Sequence, residues 1–219
     1  VTPDLKESIG ARNIDKISEE TFPRYKENIC FSCGTCSMYG TANTMGVFAE
    51  VLGLCPIGST TMLSCSAAKM RQARSVGERI VQLVREGTTA RTFMTKASIS
   101  NGIRHVSATG GSTNFVMHVM AIARAAGLEM DLKEFDAIQE SVPVVAKFKP
   151  SSQYNMTDYH RAGGVAASLR AIRDYLDLDV PMAFDGTMRE LVDRPAPPAN
   201  PAVIHPVEDA LSPAGCFTI

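Results

Sequence analysis

The chain has 219 residues, a length that suits one domain with appendages. Lys plus Arg number 22 and Asp plus Glu 23, and the net charge of −1 excludes a strongly basic nucleic-acid binder. Hydrophobic residues make up 45% and charged residues 21%, the balance of a soluble globular protein rather than a disordered one.

The first 29 residues are polar and carry no assignable periodicity. A cysteine-rich loop occupies 30–40, and a helix is predicted at about 43–52, ended by Gly53. Residues 66–86 form a long amphipathic pattern, with Met70, Ala73, Val76, Ile80, Leu83 and Val84 at helical spacing and Gly87 as the stop. IRHVSA, 103–108, is predicted as a short buried strand. The turn GGSTN follows at 110–114, then FVMHVMAIARAAG, apolar nearly all round and so expected as a buried helix stopped by Gly127. Asp131 and Glu134 have capping-box spacing for a helix at 132–139, and VPVVAKF, 142–148, is a second strand candidate stopped by Pro150. A further helix is predicted at 158–176, interrupted near its start by Gly163 and Gly164, and Asp185 is the predicted cap of a last short helix through Leu191.

The alternation of strand and helix gives an expected fold class of α/β, a largely parallel sheet flanked by helices. Six of the twelve prolines fall between 195 and 213, a linker or extended crossover rather than a core element. The closing CFTI, 216–219, resembles the start of a strand. The chain is therefore expected to be cut at both ends. No unbroken apolar run of about 18 residues predicts a membrane span, and VTPDLKESIG lacks the pattern of a signal peptide, so a cytoplasmic location is expected.

Six cysteines are present: Cys30, Cys33, Cys36, Cys55, Cys65 and Cys216. Three of them crowd into seven residues, which metal or redox chemistry explains better than disulfides in a chain able to bury its own core. The run Cys30-x-x-Cys33-x-x-Cys36 can converge on one centre, and thiolates suit zinc or iron–sulfur clusters. A complete site needs a fourth ligand, from Cys55, Cys65 or a histidine. Three buried free thiols are the plainer alternative. Thr41, Asn43 and Thr44 are helix-capping types, and an anion placed there would face the positive end of the following helix. Gly110–Asn114 can hold a carboxylate or phosphate or serve as a tight turn; it is not a P-loop, because it lacks the lysine. His118 is expected in the core, His160 at a helix end, and His105 and His205 show no partner by spacing. The methionines are expected to fill core gaps.

Four blocks resemble one family. CFSCGTCSMYGTANTM (30–45), ATGGSTN (108–114), KPSSQYNMTDYHRAGGV (149–165) and HPVEDALSPAGCFTI (205–219) are similar, in order, to blocks of the dihydroxy-acid and phosphogluconate dehydratases. The resemblance implies an iron–sulfur hydro-lyase that removes water from a 2,3-dihydroxy carboxylate to give a 2-keto acid. It implies an iron–sulfur cluster, [2Fe–2S] or [4Fe–4S], as Lewis acid for the departing hydroxyl, and Mg²⁺ for the carboxylate. In that family the last cysteine of the signature is a cluster ligand, which assigns Cys36 as the metal ligand, with Cys33 as runner-up. Ser112 and Thr113 are candidate residues of a substrate or active-site loop. The family's serine base falls beyond residue 219, so no catalytic residue is assigned in the chain.

Residues 1–194 are accordingly expected as part of the family's N-terminal domain, and 195–219 as the crossover towards a C-terminal domain. The expected partners are a small hydroxy acid and further copies of the chain, in branched-chain amino-acid biosynthesis, with no nucleic acid and no membrane. Tyr39 and Gly40 depart from the usual signature, and Gly40 resembles the sugar-acid branch. Thr157, Asp158, Tyr159 and His160 lean towards the dihydroxy-acid branch. Three alternatives stand beside this reading: a sugar-acid (aldonate) dehydratase, a non-catalytic α/β remnant that binds metal or a partner chain, and an electron carrier using Cys30, Cys33 and Cys36.

Overall fold

Side-chain caps start half of the described helices. In the computed structural model, which describes residues 2–28 and 33–217, ten α-helices lie among the described residues. Helices α1 (Thr2–Asn13) and α2 (Phe22–Asn28) pack on each other. Helix α3 is Thr41–Val51, and α4 is Ala67–Glu86. In α4 the Ser66 hydroxyl accepts from Lys69 N and Gly87 closes the helix at φ 68°. Helix α5 (Lys96–Thr109) begins with a reciprocal capping box between Thr95 and Ser98, and α6 covers Asn114–Ala125. In α7 (Leu132–Glu140) the Asp131 carboxylate accepts from Glu134 N at 2.8 Å. Helices α8 (Met156–Arg161) and α9 (Gly164–Ala171) are separated by Gly163, and α10 is Met188–Asp193.

Among the described residues the expected parallel sheet is absent. The described strands are β1 (Pro181–Met182) and β2 (Gly186–Thr187), one short antiparallel hairpin. The two segments predicted as sheet strands explain the error. Residues 103–108 are the middle of α5, where the capping box and a buried face override the β-branched residues of IRHVSA. Residues 142–148 are largely buried, but their main chain pairs with the last turn of α5 and with the 205–212 segment. Val145 N donates to Ala108 O at 2.8 Å, Val144 N to Ser212 O at 2.9 Å and Leu211 N to Val144 O at 2.8 Å. An apolar run can satisfy its backbone this way without entering a sheet.

Helix α5 is the axis of the fold. It packs against α3, α6, α7 and α9, and ten of its side chains or glycines are buried. On one side Phe48, Ile103, Phe115, Phe135 and Phe217 form an aromatic-rich core. On the other, Val47, Phe148, Tyr159, Leu169, Met188 and Leu191 join α3 to α8, α9 and α10. Helix α6 is less buried than its composition suggests: Phe115, Val119 and Ala123 face inward, while Met117 is exposed. Helix α4 is mostly exposed, with Leu83 its buried residue and Met70, Ile80 and Val84 exposed. Residues Val203 and Ile204 of the proline-rich tail are buried in the core. The predicted strand start at 216–219 falls partly on Thr218 and Ile219, outside the described residues. No described helix is long and apolar enough to cross a membrane.

Candidate functional site

Helix α3 carries the cysteine loop at its N-terminal end. Gly40 is its N-cap and makes no side-chain cap bond, so Thr41, Asn43 and Thr44 are released for other partners. The Asn43 amide donates to Cys36 O at 2.7 Å and to Met38 O at 2.8 Å, which pins the loop main chain over the helix. Asn43 is buried, and its Oδ1 has no hydrogen-bond partner. The Cys36 thiol lies on this pinned loop, partly exposed, with Met38 O 3.8 Å from its sulfur.

The turn that follows α5 docks on the same helix end. Ser112 N donates to Thr44 Oγ1 at 3.0 Å, the Thr41 and Ser112 hydroxyls lie 3.0 Å apart, and the Asn114 amide donates to Thr41 Oγ1 at 2.8 Å. Gly111 is required here, because a Cβ would strike the Val106 and Thr44 side chains. A third segment closes the loop from behind. Tyr39 N donates to Lys149 O at 2.8 Å, and Met156 N donates to Ser37 O at 2.8 Å. Tyr39 itself is buried, with its hydroxyl 3.0 Å from Thr109 Oγ1 and its ring edge-on to Phe148; burial pushes its phenol above the ordinary range. Cys216 reaches the same turn from the chain's other end. The residue is exposed over part of its surface, but its sulfur lies within reach of the Gly110 and Gly111 N–H groups. Desolvation outweighs those donors and pushes the thiol up to about 11, so it is neutral at pH 7.

Glu50 braces the far side of α3. Its buried carboxylate accepts from Gly58 N at 2.7 Å, Thr60 N at 2.5 Å and the Ser59 hydroxyl at 3.2 Å. Burial pushes its carboxyl up despite these three donors.

The blocks that meet at this helix end are the ones that carry the resemblance described above. The family model for the N-terminal part of the dihydroxy-acid/6-phosphogluconate dehydratases matches residues 1–191. The chain belongs to this family. Curated dihydroxy-acid dehydratases of Methanococcoides burtonii and Burkholderia mallei are each 36% identical, over 216 and 217 residues respectively. Each match covers 97% of this chain and 39% of the relative, so the chain spans about two fifths of the length of these relatives.

Within this dehydratase-family chain the predicted site residues fare unevenly. Cys36 and Ser112 are brought to one end of α3, on loops clamped to each other. Thr113 is exposed as the N-cap of α6 and makes no side-chain cap bond. Cys33 is exposed, with its sulfur 3.5 Å from the Ser64 hydroxyl. Cys30 lies outside the described residues. Among the described residues no group of three or more His, Cys, Asp or Glu side chains can hold a metal ion, so Cys55 and Cys65 do not complete a thiolate site there.

The histidines also sort differently from their spacing. His118 is only partly buried, whereas His105 is fully buried and lies 2.7 Å from the Ser168 hydroxyl. His160 does sit in the last turn of α8, with Nδ1 2.9 Å from Thr61 Oγ1. Asp185 does not cap α10; it pairs with Arg194 at 3.0 Å, and Thr187 with Glu190 forms the capping box. The residues that lean between branches have structural work in this fold. Asp158 completes the α8 capping box, and Tyr159 is buried.

Asn43, Thr41, Tyr39 and Glu50 were not legible as site supports. The Thr41 and Tyr39 bonds cross 70 to 73 residues of sequence, and those of Asn43 and Glu50 reach irregular loop main chain that no periodicity announces.

Proposed function

We propose that this chain is the cysteine-loop part of a hydro-lyase that converts a 2,3-dihydroxy carboxylate, a dihydroxy acid foremost, into a 2-keto acid. The observation that carries the reading is the clamp at the start of α3. There Asn43 holds the main chain of the Cys36 loop, while Thr41 and Thr44 hold the Ser112 turn against it. The 30–45 block thus holds its own cysteine loop and the 108–114 block through side chains at the start of α3.

The described residues offer one partly exposed thiol on a rigid loop, Cys36, and no three-ligand set. That fits one thiolate contributed to an iron–sulfur cluster whose other ligands come from elsewhere, and the described residues hold no set that would complete a cluster by themselves. When bound, such a cluster supplies a Lewis acid that stabilises a departing hydroxide, a poor leaving group on its own. This chain's part is positioning. The clamp fixes the Cys36 main chain, and the neutral hydroxyls of Thr41 and Ser112 border the loop. A Mg²⁺ ion for the substrate carboxylate, assembly with further copies and a cytoplasmic setting belong to the same proposal.

The test joins the chain to the segments that complete its relatives. Iron and acid-labile sulfide are measured after anaerobic reconstitution, together with 2-keto acid release from a dihydroxy acid and from an aldonate. Cys36→Ser is expected to lose cluster and turnover while Cys33→Ser keeps both. Full cluster and full turnover in Cys36→Ser would overturn the reading. Turnover of the aldonate alone would move the substrate to the sugar-acid class.

A further inference from the structure

Away from the cysteine loop, three arginines from distant parts of the sequence converge on one concavity of about 430 Å³. Arg79 comes from α4, Arg170 from α9, and Arg194 from the residue just after α10. The walls include Ile57, Phe184 and Leu191, and the concavity shares no residue with the clamp around Cys36. Its size falls in the range of small-molecule sites, and its make-up, apolar walls with a few convergent polar groups, is that of such sites.

The charges in it are not balanced. Arg194 pairs with Asp185 at 3.0 Å, and Arg79 pairs with Glu86 at 3.2 Å. Arg170 has no carboxylate partner among the described residues; its Nε donates to Val192 O at 3.2 Å. That bond orients the guanidinium, and among the described residues no hydrogen bond engages its terminal amines. Arg79 is held in the same way, through Nε to Ala183 O at 2.7 Å. A half-buried arginine beside a second arginine is an unfavourable arrangement unless an anion joins it. Burial and the neighbouring Arg194 both push the Arg170 guanidinium below its ordinary range. Asp185, 12% exposed, also lines the concavity and keeps its bond to Nη1 of Arg194, which is 53% exposed and can turn its remaining N–H groups to a ligand.

We propose that this concavity binds a small-molecule oxyanion, a carboxylate or phosphate group, between Arg170 and Arg194, with the ligand's carbon portion against Phe184 and Leu191. Guanidinium forks match both groups, because each presents two coplanar or near-coplanar oxygens to two parallel N–H donors. The site is separate from the proposed hydro-lyase chemistry and stands or falls without it.

The experiment titrates the 219-residue chain with inorganic phosphate, acetate and chloride at constant ionic strength, read by calorimetry and by the Nε–H signals of its arginines. Saturable binding of phosphate or acetate, with chloride silent, is expected. The tighter of the two identifies the group. Arg170→Gln is expected to weaken it at least about tenfold, and Arg194→Gln severalfold. Arg170→Lys, which keeps charge but loses the fork, is expected to fall between. Arg124→Gln, on α6 and outside this concavity, is expected to leave it unchanged. Should the Arg170 variants fail to fold, a shift of the Arg170 Nε–H signal on adding phosphate or acetate decides the matter in the unaltered chain. Absence of saturable binding, equal competition by chloride, or equal affinity in Arg170→Gln would overturn the proposal.

Discussion

Gly102→Ala tests whether the contact between α3 and α5 sets the stability of this fold. Gly102 lies in the buried middle of α5, and a Cβ there would overlap two carbons of the Phe48 ring. Phe48 has little room to move: it is 1% exposed and packs edge-on against Phe115, with ring centroids 5.0 Å apart. In an open helix, alanine in place of glycine would gain about 1 kcal/mol. Overpacking a core that cannot relax costs about 1–3 kcal/mol, and a trapped ring belongs at the upper end. The net expectation is a loss of about 1–2 kcal/mol, which lowers Tm by roughly 2–8 °C at this chain length.

The assay is urea or thermal denaturation followed by circular dichroism, run as a double-mutant cycle with Phe48→Leu. Phe48→Leu alone removes ring volume and is expected to cost about 1–2 kcal/mol. In that background the new methyl fills vacated space, so Gly102→Ala is expected to become neutral or stabilising. A coupling of roughly 2 kcal/mol should result. Equal effects of Gly102→Ala in both backgrounds would show that the overlap with Phe48 is not what makes glycine necessary.

Three further outcomes follow from the buried and bridging side chains. Burial lowers the His105 pKa to about 3, so between pH 6.5 and that value the unfolded chain takes up a proton that the folded chain refuses. Stability is therefore complete above pH 6.5 and falls by about 1.4 kcal/mol per pH unit below it. His105→Gln should remove one proton's worth of that slope, and an unchanged slope between pH 5 and 6.5 would refute it. Thr41→Val removes the hydroxyl that meets both Ser112 and Asn114 and should cost about 1–2 kcal/mol. It should also speed hydrogen exchange at Ser112 N; unchanged exchange there would mean that the turn is held by its own geometry. Asn43→Ala leaves Cys36 O and Met38 O without their donor and should make the Cys36 thiol react faster with a soluble disulfide reagent. Equal rates would mean the loop does not depend on Asn43.

Helix ends written in local chemistry were legible in the sequence. Ser66 and Gly87 bound α4, and Asp131 starts α7, because a cap is satisfied within three or four residues of itself. The fold class was not legible. IRHVSA has the composition of a strand, and Gly102 before it weakens a helical reading. What makes it helical is a ring from another helix resting on that glycine and a capping box, Thr95 with Ser98, that begins eight residues before the predicted strand. VPVVAKF failed for the complementary reason. It is largely buried as expected, but its donors and acceptors are met by Ala108 and by the 205–212 segment rather than by neighbouring strands. Periodicity reports burial and local geometry; it does not report which main-chain partner a buried segment finds.

The same distinction governs the candidate site. Cys36 and Ser112 were legible as residues worth naming, since cysteine crowding and a double-glycine turn are local signals. Thr41, Asn43 and Thr44 were legible only as cap-forming types, and that reading assigns their polar groups to their own helix end. In the structure Gly40 takes the cap position and needs no side chain, so all three turn outward to other segments. Asn43 shows what this arrangement costs. Both amide hydrogens are used, its Oδ1 is buried without a partner, and leaving such a group unsatisfied costs about 1–3 kcal/mol. An alanine at 43 would avoid that penalty and lose the hold on the cysteine loop. Retaining a buried, half-satisfied amide beneath Cys36 is reasonable where the position of that loop matters more than the local stability it gives up.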